Sequence, residues 1–203
     1  MFDKLLVKRV VMPAVSLSEA NRYAGVKDGR AEPELMSRAV KEVSDASQSS
    51  AVYRIFSVNI DGDSVMLGGI HTVSKGLAKN LQGAKYAVIF CATVGLAVDR
   101  IIGKYSVISP SLALLCDAVG AERIEALCDC FCEDMRQTKL KMGETLRPRF
   151  SAGYGDLPLE YQRRIFDLLD PPTHIGLTLN DSYLMSPSKS VTALIGVEKI
   201  KEV

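Results

Sequence analysis

The sequence lacks an excess of charge of either sign. It has 25 Lys and Arg against 24 Asp and Glu in 203 residues, which gives a formal net charge of +1. These residues are interspersed along the chain, whereas a nucleic-acid binder usually concentrates basic residues on one face. The balance therefore argues against DNA or RNA as a partner.

Long apolar runs are also absent. The N-terminal run over residues 5–11 is interrupted by Lys8 and Arg9 and is too short for a membrane span or a signal peptide. No other stretch approaches a spanning length, so we expect no membrane association and a cytoplasmic location. The five cysteines are an odd number without a secretory leader, which predicts reduced thiols and no disulfides.

Several nucleotide-binding and hydrolase motifs are missing as well. The chain has no Gly-x-Gly-x-x-Gly turn of the dinucleotide-binding type and no phosphate-binding Gly-Lys-Ser or Gly-Lys-Thr loop. Its two histidines, His71 and His174, lie far apart and lack the nucleophile and acid that a hydrolase places beside them. We therefore expect both histidines to be structural.

What is present suits one globular domain over residues 1–203, because hydrophobic residues make up 47% of the chain and charged residues 24%. The local patterns predict helices from Ser16 or Ser18 to about Gly25 and over 33–47, 73–81, 96–102, 110–142 and 159–169, and strands over 51–58, 65–67, 86–93, 175–179, 182–185 and 190–197. This order favours an α+β domain with a mostly antiparallel twisted sheet and flanking helices, including one long helix.

The long helix opens at Ser109 and Pro110, where an N-cap is followed by proline at the first helical position. No breaker except Gly120 occurs before Gly143. The pattern predicts an apolar stripe on one side of the helix, with polar side chains on the others. The stripe comprises Leu112, Leu115, Val119, Ile124, Leu127, Phe131 and Met135, and the polar set comprises Glu122, Arg123, Asp129, Glu133 and Arg136.

Three cysteines occur in one five-residue stretch of this helix, and such a cluster suggests a metal site. Cys128 and Cys132 share a helical face, whereas Cys130 points well away from it. Three thiolates in this arrangement cannot converge on one tetrahedral ion. We therefore expect no metal and interpret the cysteines as small buried hydrophobic residues.

The segment after the long helix is the most unusual part of the chain. Glycine, tyrosine and arginine cluster at 149–156, where the pattern demands neither helix nor strand. Arg149 can bind a carboxylate through two parallel donors, Gly153 and Gly155 allow close backbone approach, and Tyr154 offers a flat face. These properties suit a zwitterionic, aromatic-bearing ligand. The alternative is a structural connection in which Arg149 caps the carbonyls of the long helix.

A family resemblance begins at the same segment. The blocks, in this order, are RFSAGYGDLPL at 149–159, IGL at 175–177, LMSP at 184–187 and SVT at 190–192. They resemble the activation domain of cobalamin-dependent methionine synthase, and the likeness is clear from about residue 110 to residue 197. The chain departs from this pattern at Ala152, where short relatives commonly carry proline, so a less rigid loop is expected here.

The resemblance implies a set of binding residues for S-adenosylmethionine. Arg149 would hold the methionine carboxylate, Ser151 and Gly153 would present backbone groups to the adenine or ribose, and Tyr154 would pack beside the ligand. Alignment with the family's long helix adds Glu125. Residue type alone would make Glu125 a solvated helix charge, paired with its neighbour Arg123.

The resemblance also implies a function. The chain would be a reactivation module that binds S-adenosylmethionine and supports reductive methylation of cobalamin in a cobalamin-dependent methionine synthase or related corrinoid protein, with a flavodoxin-like reductant as electron donor. It lacks the Asp-x-His-x-x-Gly motif of corrinoid carriers, so we expect it to hold no cobalamin itself and to act in trans, as an accessory domain without a catalytic residue. The alternatives are a scaffold protein that no longer binds the ligand, and an independent methyltransferase, for which no base is identifiable.

Overall fold

The computed structural model describes residues 4–26 and 31–200. Its helices are α1 (Leu17–Tyr23), α2 (Pro33–Ala46), α3 (Lys75–Leu81), α4 (Leu96–Ile108), α5 (Pro110–Leu140), α6 (Tyr161–Leu169) and α7 (Pro171–Ile175). Its strands are β1 (Leu6–Arg9), β2 (Ser50–Asp61), β3 (Ser64–Leu67), β4 (Ile70–Val73), β5 (Tyr86–Thr93), β6 (Glu144–Leu146), β7 (Thr178–Leu179), β8 (Met185–Ser186) and β9 (Ser190–Lys199). Because these elements mix and the strands pair antiparallel, the expected α+β class is confirmed.

One antiparallel sheet organises the molecule. Its strand order is β4, β3, β2, β5, β9 and β6, and β1 pairs with the first residues of β2. The predicted hairpin corresponds to β2 and β3, in which Gly62 takes a φ of +58° at the first position of a two-residue turn. This type of turn requires glycine there. The strands β7 and β8 form a separate small ribbon.

The strand β5 lies at the centre and divides two hydrophobic cores. All eight of its residues are buried, which confirms the prediction of a buried strand over 86–93. Val88 and Phe90 face the core formed with α1, α2, α4 and α5, while Ile89 and Cys91 face the core formed with α3 and α6. Alternate residues of a strand point to opposite faces, so each face of the sheet is covered by its own helical layer.

The helix α5 spans the first of these layers and is fixed to the sheet along its length. The ring of Phe131 lies 4.6 Å from that of Phe90 and 5.3 Å from that of Tyr53, measured between centroids. Near the C-terminus of the helix, Lys139 Nζ donates to the Tyr86 hydroxyl at 3.1 Å, and that hydroxyl donates to Glu144 on β6. The predicted long helix is therefore confirmed.

Several local predictions are wrong at their boundaries. The strand predicted over 182–185 is reduced to Met185–Ser186, the helix predicted over 96–102 continues to Ile108, and the helix predicted from residue 159 begins at Tyr161. The predicted helix over 73–81 starts only at Lys75, because the Ser74 side chain accepts a hydrogen bond from Leu77 N and caps the helix there. The predicted strand over 175–179 begins only at Thr178. Ile175 instead ends α7, which begins at Pro171. Proline suits this position because the first N–H of a helix has no partner within the helix.

The short edge strands β1 and β4 had no sequence signal of their own. Each has four residues and alternates between half-buried and exposed positions, and each forms by pairing with a neighbouring strand. Across residues 4–26 and 31–200, no helix combines the length with the apolar character that a bilayer span requires.

Candidate functional site

A cleft of about 550 Å³ lies between α5 and the segment that leads into α1. One wall is a single face of α5, formed by Glu122, Glu125, Ala126, Asp129 and Cys130. The opposite wall is formed by Pro13, Ala14, Ser16, Glu19, Arg22 and Tyr23, and Arg149 completes the lining. The cleft thus combines carboxylates, two guanidinium groups and one aromatic ring.

Glu125 and Arg149 form an ion pair in this cleft. Arg149 Nη2 donates to Glu125 Oε2 at 2.5 Å, although the two residues are 24 positions apart. The side chain of Glu125 is 42% exposed and that of Arg149 is 26% exposed, so a ligand has access to both. Two of the predicted site residues are therefore brought together.

The backbone around Phe150 explains why Arg149 faces α5. Phe150 pairs with Leu194 of β9, and its side chain enters the core beneath α3 and α6. Adjacent residues of an extended segment point to opposite faces, which directs Arg149 to the other side of the sheet. Its hydrogen bond goes to Glu125 in the middle of α5, so the alternative that Arg149 caps the terminal carbonyls of the helix is wrong.

One end of the Arg149 guanidinium is unused. Its Nη1 atom is buried and has no hydrogen-bond partner among the described residues. A buried donor without a partner costs about 1–3 kcal/mol. Burial by itself lowers the pKa of Arg149, but the neighbouring Cys128 and Glu125 outweigh it and leave the pKa raised, so the group stays charged.

The other three predicted residues lie beyond the edge of the sheet and do not line the cleft. Gly153, with a φ of +82°, donates its N–H to Leu157 O at 2.9 Å, and Tyr154 N donates to Ser151 O at 3.2 Å. The Tyr154 ring is 69% exposed and meets the Phe150 ring edge-on at 5.4 Å. A flat aromatic face is thus open to solvent next to a backbone turn.

The sequence reasoning missed a buried ion pair behind the cleft. Glu122 and Arg123 are 5% and 3% exposed, although both were expected on the polar sides of α5. Arg123 Nε donates to Glu122 Oε2 at 2.5 Å, so Arg123 is not the partner of Glu125 that residue type suggested. Arg123 also donates to the backbone carbonyls of Pro13 and Ala14. These partners lie far away in the chain, and no sequence pattern within the helix indicates them.

Of the remaining charged residues in the cleft, Arg22 and Glu19 pair with each other, whereas Asp129 has no partner among the described residues. On α1, Arg22 Nη2 donates to Glu19 Oε2 at 2.6 Å, and its guanidinium lies 4.3 Å from the Tyr23 ring centroid. Asp129 forms no hydrogen bond or ion pair within residues 4–26 and 31–200. An exposed carboxylate without a partner at the cleft favours a ligand with positive charge.

The cysteines and histidines of the chain show no metal-binding arrangement. Burial raises the pKa of Cys128 to about 12, so this thiol is protonated at neutral pH. No cluster of three or more potential metal ligands occurs in the part of the chain that the structure describes. His71 Nε2 hydrogen-bonds Ser64 Oγ at 2.8 Å across the β3–β4 hairpin, which is a structural contact.

Asp156 ties the turn after Tyr154 to the N-terminus of α3. Its Oδ1 accepts hydrogen bonds from Ser74 Oγ at 2.6 Å and Gly76 N at 3.0 Å, and its Oδ2 accepts from Lys75 N at 2.7 Å. The bond from Ser74 is the main reason that the pKa of Asp156 lies below its ordinary value of 3.8. The ionised carboxylate thus holds the turn in place.

We expect Asp156→Asn to destabilise the protein at neutral pH and to lose this effect in acid. A lowered pKa stabilises the fold above the unfolded-state pKa of about 4, and this contribution is lost progressively as the pH falls through the lower folded-state pKa. Urea unfolding at about pH 7 and pH 3 measures the difference. Asp167→Asn on α6, which removes an exposed carboxylate, is the control. An equal effect of Asp156→Asn at both pH values would contradict the prediction.

Comparison with known proteins supplies a structural relative. No protein-family model matches the chain, and no curated protein sequence matches it. The solved structure of the MetH reactivation domain bound to AdoHcy is similar, with a TM-score of 0.70 and 14% sequence identity. The similarity covers 98% of this chain and 80% of that one. At this identity, the comparison establishes the fold.

Proposed function

We propose that this chain binds S-adenosylmethionine and acts in trans as a reactivation module for a cobalamin-dependent methionine synthase or a related corrinoid protein. The observation that carries the proposal is the Glu125–Arg149 pair, which lies in an open cleft and whose two side chains are both partly exposed to a ligand. The similar fold of a reactivation domain that binds AdoHcy adds support.

The amino-acid end of the ligand would bind at the ion pair. The Arg149 side chain is partly exposed in the cleft, and a guanidinium binds a carboxylate best through two parallel donors. Arg149 would turn its buried Nη1, which has no partner among the described residues, toward the ligand to offer both. Glu125, released in part from Arg149, would accept hydrogen bonds from the ligand's ammonium group. Asp129 adds negative charge on the same face of α5, which favours the sulfonium.

The adenosine end would extend toward the turn after Arg149. Five residues span at most about 18 Å, so Tyr154 remains near Arg149, and its exposed ring offers a stacking surface for adenine. The backbone of Ser151 and Gly153 would contact the adenine or ribose. In this arrangement, the ligand crosses the edge of the sheet.

The contribution of the chain is positional. Cobalamin on the partner protein would supply the reduced cobalt that accepts the methyl cation, after one electron from a flavodoxin-like donor, and S-adenosylhomocysteine would remain. Glu125, Arg149 and Tyr154 would hold the sulfonium at a fixed place and in a fixed orientation, which turns a rare encounter into a local one. No side chain of this chain needs to act as acid, base or nucleophile.

Titration calorimetry with S-adenosylmethionine tests the proposal. We expect saturable binding to the intact chain, and we expect Arg149→Ala to weaken it by about tenfold to a hundredfold, because a hydrogen bond to a charged group contributes about 1.5–3 kcal/mol. The matched control is Arg136→Ala, which breaks an exposed Arg–Glu pair on α5 and should leave the affinity unchanged. No binding at about millimolar ligand would support the scaffold alternative instead.

A further inference from the structure

We infer that Glu122 and Arg123 are positioning residues for the ligand cleft, because they hold the chain segment that forms its opposite wall. Arg123 Nη1 donates to Pro13 O at 2.6 Å, and Arg123 Nη2 donates to Ala14 O at 3.3 Å. Glu122 Oε1 accepts from Ser16 N at 3.0 Å. This inference rests on the proposed function, because it concerns the shape of the same cleft.

The segment has few other attachments through its backbone. Residues 11–15 lie outside helix and strand, and their backbone hydrogen bonds within the described residues are the two to Arg123. The nearest backbone bond before them joins Val10 N to Ser49 O at 3.2 Å. The polar attachments of residues 13–16 to elements other than α1 therefore come from one buried pair of side chains on α5, while Met12 and Val15 add apolar packing against the core.

The free-energy cost of burying Glu122 and Arg123 indicates that the pair serves to orient the backbone groups it binds, rather than to add stability. A buried ion pair is often no more stabilising than apolar side chains of the same size, because two charges must leave water. The pair here is almost fully buried, yet it supplies donors and an acceptor to three backbone groups that have no partner in a strand or helix. Apolar replacements would fill the volume but would leave these backbone groups without partners.

The held segment faces the proposed ligand-binding residues. Pro13, Ala14 and Ser16 line the same cleft as Glu125 and Arg149. Glu122 also lines it and lies one helical turn before Glu125. A shift of the segment would thus change the width of the cleft without removing any residue that is proposed to contact the ligand, and loss of a preformed wall weakens binding.

Two variants separate this positioning role from simple stability. Arg123→Met removes both donors, and Glu122→Gln keeps an acceptor for Ser16 N but removes the charge. Each variant is titrated with S-adenosylmethionine at a temperature at which its circular dichroism shows it folded. We expect the dissociation constant to rise by about tenfold for Arg123→Met and by less for Glu122→Gln. Arg136→Ala serves again as the exposed control.

The thiol of Cys130 provides a readout that does not depend on binding. This half-buried cysteine lines the cleft, so displacement of the wall should expose it. Labelling with a neutral alkylating reagent, assigned to Cys130 by fragment-ion mass spectrometry of the peptide that contains Cys128, Cys130 and Cys132, should be several-fold faster in Arg123→Met than in the intact chain. The control Arg136→Ala should label at the rate of the intact chain.

The outcomes distinguish the two proposals. If the intact chain binds the ligand and both folded variants bind it equally well with unchanged Cys130 labelling, the positioning role is wrong and the proposed function stands. If the intact chain binds no ligand, the proposed function is wrong. Faster Cys130 labelling in Arg123→Met would still support the role of the pair in holding the wall, and unchanged labelling would overturn it.

Discussion

Replacement of Arg123 by methionine is expected to lower the free energy of unfolding by about 3–5 kcal/mol, because Glu122 would remain as a buried charge without its partner. The carbonyls of Pro13 and Ala14 would also lose their donors. Chemical unfolding in urea, followed by circular dichroism, measures the change. This is one of the two largest single-residue effects that we expect in the chain.

A double variant tests the physical reason. Glu122→Leu combined with Arg123→Met removes both charges together, and it should be more stable than Arg123→Met alone, because no isolated charge stays buried. The exposed Glu133–Arg136 pair lies on the same helix, and Arg136→Ala should change stability by only about 0–1 kcal/mol. A double variant less stable than Arg123→Met would contradict the explanation.

Phe131→Ala should cost about 3–5 kcal/mol, the usual range for removal of a buried aromatic ring. The side chain is fully buried and packs against the rings of Phe90 and Tyr53. Its loss would leave a cavity between α5 and the sheet, and the contact of Lys139 with Tyr86 near the C-terminus of the helix would limit its collapse. The midpoint of urea unfolding reports the change.

A matched apolar site on the same helix provides the control. Leu114 is exposed on α5, so Leu114→Ala should change the free energy of unfolding by no more than about 0.5 kcal/mol. Similar effects of Leu114→Ala and Phe131→Ala would show that the packing of α5 against the sheet contributes less than the structure indicates.

Elements with strong local patterns were predictable from sequence. The apolar run over 86–93 predicts the central strand β5 with its observed bounds, and Pro110 together with the absence of later breakers predicts α5. By contrast, β1 and β4 are short and mixed in character, and their structure depends on strand pairing. Ile175 was misassigned because the prolines at 171 and 172 open a second helix instead of only ending the first.

The site was predictable only in part. Composition and spacing drew attention to Arg149, and the family resemblance pointed to Glu125, which the structure places in contact with it. No local pattern indicates that Arg123 bonds Pro13 and Ala14, since these partners lie 110 and 109 positions away and are backbone carbonyls. The ligand-binding roles of all five residues, Glu125, Arg149, Ser151, Gly153 and Tyr154, remain predictions.

The anchoring of α5 determines which side of the cleft can yield. The helix is about 46 Å long, and it is held by Phe131 in its middle and by Lys139 near its C-terminus. A ligand that enters the cleft between α5 and the segment before α1 therefore contacts a fixed helix on one side. The width of the cleft thus depends on the segment before α1, and the Glu122–Arg123 pair that holds this segment sets how far apart the two walls lie.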